Sequence, residues 1–98
     1  MEILLFVIAI AVLFLVLDML QTLQIALNPQ KWKELNPILG EHPSWTAVCS
    51  YFMICIWLTV MIALWLPGPW GAAFAGAIAL LEIVVVWRNR YVVGVPFR

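Results

Sequence analysis

The sequence predicts an all-α integral membrane protein with three transmembrane helices, at about residues 3–27, 44–66 and 70–87. Three observations carry that prediction. Of 98 residues, 66% are hydrophobic and 10% charged, with a mean hydropathy of +1.09, whereas soluble globular chains carry about 25% charged residues. Three apolar runs each approach the ~20 residues that cross a ~30 Å hydrocarbon core. Helix breakers separate them: Asn28-Pro29 after the first and Pro67-Gly68-Pro69 between the second and third, with Arg88-Asn89-Arg90 closing the third. In lipid the backbone must satisfy its own hydrogen bonds, so the spans are helices. Residues 1–98 form one three-span domain with no internal repeat.

The first run, from about Ile3 to Leu27, begins behind an acidic Met1-Glu2 head and shows no small-residue cleavage site. It reads as a retained span and not a signal peptide. The connector that follows, "KELNPILGEHPS", is the most polar segment of the chain. Asn28 before Pro29 has the form of an N-cap and first-turn pair, which predicts a short interfacial helix over 29–35 anchored by Trp32. Pro37 turns Asn36 away from helical geometry, Gly40 can end the next turn, and Pro43-Ser44 opens the second span. The third span starts at Trp70, directly after the proline-glycine turn.

Charge sets the expected orientation. Lys31 and Lys33 lie in the first connector, and Arg88, Arg90 and Arg98 follow the third span. The Pro67–Pro69 turn carries no charge. Positive residues mark the cytoplasmic side, so the N-terminus is expected outside and the C-terminus inside, in a bacterial inner (cytoplasmic) membrane. Trp65 and Trp70 flank the outer turn, and Trp32, Trp45 and Trp87 the inner edge, as interfacial belts do. Trp57 falls mid-span. Five residues of each sign give zero net charge, which leaves no footprint for a nucleic acid.

Polar residues inside the spans are the candidate site. Asp18 lies near the middle of the first helix, with Gln21, Thr22 and Ile25 following at i+3, i+4 and i+7 on one face. Glu82 lies in the third span. At 100° per residue, Gly71, Ala75, Glu82 and Asn89 fall within about 20° of one line, with Ala79 close by. Small residues let helices approach closely, so Gly71, Ala75 and Ala79 form the expected packing face, and that face carries Glu82. By helical rise, Glu82 and Thr22 sit about 9 and 8 Å inside the inner boundary. A buried polar cluster of Asp18, Gln21, Thr22 and Glu82 follows, capped from the cytoplasmic side by Glu34, Asn36, His42 and Asn89.

Carboxylates in lipid need partners or water. The cluster therefore reads as polar glue between helices, as a proton or ion site using Asp18 and Glu82, or as a metal site adding His42 and Glu34. A single histidine and no His-x-x-Glu spacing weigh against metal. No cofactor motif is present, and Ser44, Thr46 and Ser50 have no second histidine with which to build a catalytic triad, so no enzyme is expected. Cys49 and Cys55, six residues apart on one helix, point well over 100° apart; they cannot bridge each other and read as small apolar fillers.

The pattern Asp18, Gln21-Thr22, Glu34-Leu35-Asn36-Pro37-Ile38-Leu39-Gly40, His42-Pro43-Ser44 and Tyr51-Phe52 resembles an uncharacterised family of small multi-span membrane proteins of bacteria and phages. They share an Asp…Thr step in the first span and a following Glu-x-Asn-Pro step. The ending, Glu82…Arg88-Asn89-Arg90-Tyr91…Gly94-Val95-Pro96-Phe97, is similar to theirs, with Val95 where an Ile is usual. The resemblance implies that these polar residues belong together, and it implies no activity. Topology alone is also similar to one class of phage holins, which end in a Lys-rich tail that this chain lacks.

Three function classes are compatible with these residues. The first is a non-catalytic accessory or assembly subunit, or self-oligomer, which docks through its small-residue face and buried polar cluster. The second is a holin-like pore-forming lysis protein. The third is a proton- or ion-coupled transport subunit. The partners expected are the lipid bilayer and either further copies of the chain or a larger membrane-protein complex. Where Asp18, Thr22 and Glu82 point separates the classes: inward within one chain for glue or a site, toward a shared axis for a pore.

Overall fold

In the computed structural model the chain is all-α, with three helices that are each long and apolar enough to cross a membrane. The structure describes residues 2–28, 30–33, 37–40 and 42–94; of Val92 only the backbone is described. Helix α1 runs Glu2–Leu27, α2 Trp45–Trp65 and α3 Trp70–Arg88, followed by a π-helical turn, Asn89–Val93. The molecule measures 46 × 24 × 19 Å, an elongated bundle whose long axis exceeds a ~30 Å hydrocarbon core.

Local chemistry explains each boundary. At the end of α1 the Asn28 amide N–H donates to the Gln24 and Ile25 carbonyls, and its side-chain Nδ2 donates to Gln24 O at 2.9 Å. Asn28 thus closes α1 and does not open a helix with its side chain. Its own carbonyl accepts from the Lys31 and Trp32 amides, at 3.0 and 3.2 Å. The described part of the expected 29–35 helix is a turn at Gln30 and Lys31, with Trp32 and Lys33 outside any helix. A second turn spans Pro37–Leu39, and the Ser44 hydroxyl caps α2 by accepting from the Ala47 amide at 3.1 Å. Leu66 and Pro67 stop α2, and Gly68 takes φ +58°, the left-handed conformation that a tight turn needs and glycine adopts freely. Gly94, at φ +98°, ends the π turn, and its amide donates to Asn89 O at 2.9 Å.

Helix α1 is the middle of the bundle. It packs most extensively on α3, then on α2, while the α2–α3 seam is thinnest. Toward the Pro67–Pro69 end, Ile8, Ala63 and Ala75 form the core, with Leu4, Val7 and Phe74 packed around them. Toward the connector end, Leu15, Val48 and Phe52 form a second core. At the Pro67–Pro69 end α3 comes so close to α2 that a Cβ on Gly71 would collide with the Ala63 carbonyl oxygen. Gly71, Ala75 and Ala79 are buried inside the chain. The small-residue face is therefore consumed in packing α3 on its own neighbours and is not open to a partner.

Candidate functional site: a polar clasp and a cavity beside it

The inward stripes of α1 and α3 change character along their length. From Ile8 through Ala11 to Leu15, α1 offers aliphatic groups; from Asp18 through Gln21 and Thr22 it offers polar ones, before Ile25. Helix α3 mirrors this, from Gly71, Ala75 and Ala79 to Glu82, Val86 and Asn89. The polar ends of the two stripes meet at the connector side of the bundle.

Asn89 is the hub of that meeting. Its Nδ2 donates to Asp18 Oδ1 at 3.0 Å and to Gln21 Oε1 at 3.1 Å. Gln21 Nε2 in turn donates to the Val86 carbonyl at 3.2 Å. The Thr22 hydroxyl donates to the Asp18 carbonyl at 2.8 Å and lies 3.3 Å from Asp18 Oδ1. Gln21, Thr22 and Asn89 are each 0% exposed and Asp18 6%, so the clasp is closed to lipid and water alike. One acceptor stands apart. Asn89 Oδ1 is buried and makes no hydrogen bond, an arrangement that costs about 1–3 kcal/mol unless a donor or cation is supplied.

Glu82 is 8% exposed and lies two turns above Asn89 on the same face of α3. It lines a cavity of about 290 Å³ in the α2–α3 seam, together with Leu15 at its base and Tyr51, Cys55, Thr59 and Ile78 on its walls. The sequence-predicted site thus falls into two neighbouring parts, the clasp on Asn89 and the cavity on Glu82.

No family model matches the sequence, and no curated protein or solved structure does. Function is therefore argued from the site itself. Of the expected cap, Asn89 has moved from lid to hub. His42 is exposed on the connector and makes none of the clasp's hydrogen bonds. Glu34 and Asn36 lie outside the described residues. Trp32 instead lies beside Gly94 at the end of the π turn: a Cβ on Gly94 would lie 3.5 Å from its Nε1. Among the described residues, no three His, Cys, Asp or Glu side chains gather closely enough to hold a metal ion.

The sequence reading missed the cavity and the acceptor role of Val86. The cavity had a signal, because Tyr51, Cys55 and Thr59 recur at i, i+4 and i+8 and so share one face of α2. Val86 had none, since it contributes a backbone oxygen.

Proposed function

We propose that the chain is a small non-catalytic integral membrane protein that serves as an accessory or assembly subunit, docking through the outward face of α2 onto a larger membrane protein. Trp57 carries this reading. It sits near the middle of α2, 61% exposed, where the surroundings would be hydrocarbon. Tryptophan favours membrane interfaces, and its indole N–H seeks an acceptor that lipid tails do not offer. Ser50, Met53 and Met61 share its face, and all three are exposed. Methionine adapts to irregular surfaces, so the stripe has the chemistry of a contact surface. Only 22%, 22% and 28% of the apolar cores of the three spans are buried within the chain, which leaves ample helix surface for a partner.

Inward burial of Asp18, Gln21 and Thr22 supports polar glue over a pore, since those groups offer a lumen nothing. The position of the charges supports a bacterial inner membrane orientation with the connector and the end of α3 cytoplasmic. Lys31, Lys33, Arg88 and Arg90 lie at one end of the bundle and Pro67–Pro69 at the other.

A photo-crosslinking residue placed at position 57, activated in native membranes, tests the docking face. A discrete protein adduct larger than two 11.1 kDa chains, lost on Met53→Ala with Met61→Ala and kept on Phe6→Ala, is the expected result. An adduct of two chains would make the partner a second copy. Adducts to lipid alone overturn the reading.

The unbonded Asn89 Oδ1 beside the Asp18 carboxylate favours a second reading, an ion-coupled transport subunit. A cation bound there stabilises the fold by mass action. Sodium would then raise the unfolding temperature over choline at equal ionic strength, and Asp18→Asn would abolish the difference. Equal unfolding temperatures in the two salts remove this reading.

A further inference from the structure

The α2–α3 cavity has a chemistry of its own, separate from the clasp and from the outward face of α2. It lies at mid-span: Cys55 is halfway along α2 and Ile78 is near the middle of α3. Leu15 of α1 forms its floor, so its mouth faces away from α1, between the two helices that pack least on each other. A ligand reaches such a mouth through the hydrocarbon. Its walls are apolar except for Glu82, Tyr51, Cys55 and Thr59. The Thr59 hydroxyl donates to the Cys55 carbonyl at 2.7 Å, which commits its hydrogen and leaves the oxygen as an acceptor. Among the polar groups that line the cavity are thus two acceptors, the Thr59 oxygen and the Glu82 carboxylate.

We infer that this seam is a binding site for a small lipophilic amine, held by its ammonium on Glu82 and by its apolar body between Leu15, Ile78 and the α2 wall. Charge complementarity selects the head group: an ammonium has three donors and no acceptor, which fits the Glu82 carboxylate and the Thr59 oxygen, and charge-assisted hydrogen bonds are the strong ones. Volume selects the body. About 290 Å³ is at the lower edge of the ~300–1,000 Å³ range of ligand pockets, enough for one aromatic ring with a short chain. Desolvation selects the class, because the amine must partition into the bilayer before it reaches the mouth.

The test uses the full chain in nanodiscs of zwitterionic phosphatidylcholine, with empty nanodiscs as blank and titration calorimetry as readout. 4-Phenylbutylamine and its uncharged isostere 4-phenylbutanol are the probes. Saturable binding of the amine, about tenfold or more tighter than the alcohol, is expected on the unaltered chain. Glu82→Gln should bring the amine down to the affinity of the alcohol, and Ile78→Phe, which fills the cavity, should abolish binding of both. Equal affinities for amine and alcohol would mean an apolar void that lipid tails fill, and would overturn the assignment. So would an absence of saturable binding, or amine binding undiminished in a folded Glu82→Gln chain. The comparison of the two probes needs no variant, so a Glu82→Gln chain that fails to fold leaves the decision intact.

Discussion

At Asn89 one amide group serves two acceptors on the neighbouring helix, Asp18 Oδ1 and Gln21 Oε1. In a membrane such side-chain hydrogen bonds contribute about 0.6 kcal/mol each on average and up to about 1.7, because the separated helices find other partners. Removing Asn89 takes one donor from a buried acid, and that term dominates. Asn89→Leu should therefore lower stability by about 1–2 kcal/mol, read from denaturant titration in micelles. Combining it with Asp18→Leu should cost less than the sum of the two single changes, because the double variant no longer buries the acid, while Gln21 Oε1 loses its Asn89 donor in the single and the double variant alike. Strict additivity would mean that the two side chains do not interact. Asp18, Gln21 and Thr22 were legible as one stripe because their spacing needs only helical geometry. Asn89 was legible by face but not by role, since a position near the helix end reads equally as a lid or as a hub.

The helices were readable where proline and small residues set their limits, and less so where backbone groups did. Pro67-Gly68-Pro69 marked the α2–α3 turn in the sequence, and Ser44 marked the start of α2. The connector misled, because Asn28 before Pro29 has the form of a helix start, while in the fold its amide and side chain both turn back to the α1 carbonyls. Gly71 and Gly76 differ in a way that the small-residue pattern does not reveal. A Cβ on Gly71 meets the Ala63 backbone, which cannot rotate aside, whereas the nearest atom to one on Gly76 is Val7 Cγ1 at an ordinary 3.8 Å. Gly71→Ala should accordingly destabilise by about 1–3 kcal/mol, as overpacking does. Gly76→Ala should be neutral or gain up to about 1 kcal/mol from helix propensity. Unfolding of both variants under one set of conditions checks the contrast, and equal effects would mean that α3 does not approach α2 as closely as it does here. Ser44→Ala, which removes the α2 cap, should cost about 1 kcal/mol.

For the molecule as a whole, three spans and their order followed from composition and breakers. What did not follow was which helix lies in the middle: α1 touches both others because its inward residues occupy a broad face, while the α2–α3 seam stays thin and leaves room for the cavity. Orientation is the remaining whole-molecule property, and it rests on the cations that flank the spans, Arg98 and four others that lie at one end of the described bundle. Lys31 and Lys33 in the connector and Arg88 and Arg90 at the end of α3 share that end, while the Pro67–Pro69 turn at the other is uncharged. The positive-inside bias acts on residues close to the ends of the spans, where all four lie. Single cysteines at Gln30 and at Pro67, in a background with Cys49→Ala and Cys55→Ala, can be probed with a membrane-impermeant maleimide on intact bacterial cells. Pro67→Cys should label from outside and Gln30→Cys only after lysis. Labelling of Gln30→Cys alone in intact cells would reverse the orientation, and labelling of both would mean dual insertion. Neutralising these four cations together with Arg98 should make the chain insert both ways, because hydropathy alone drives three spans into the bilayer without distinguishing its sides.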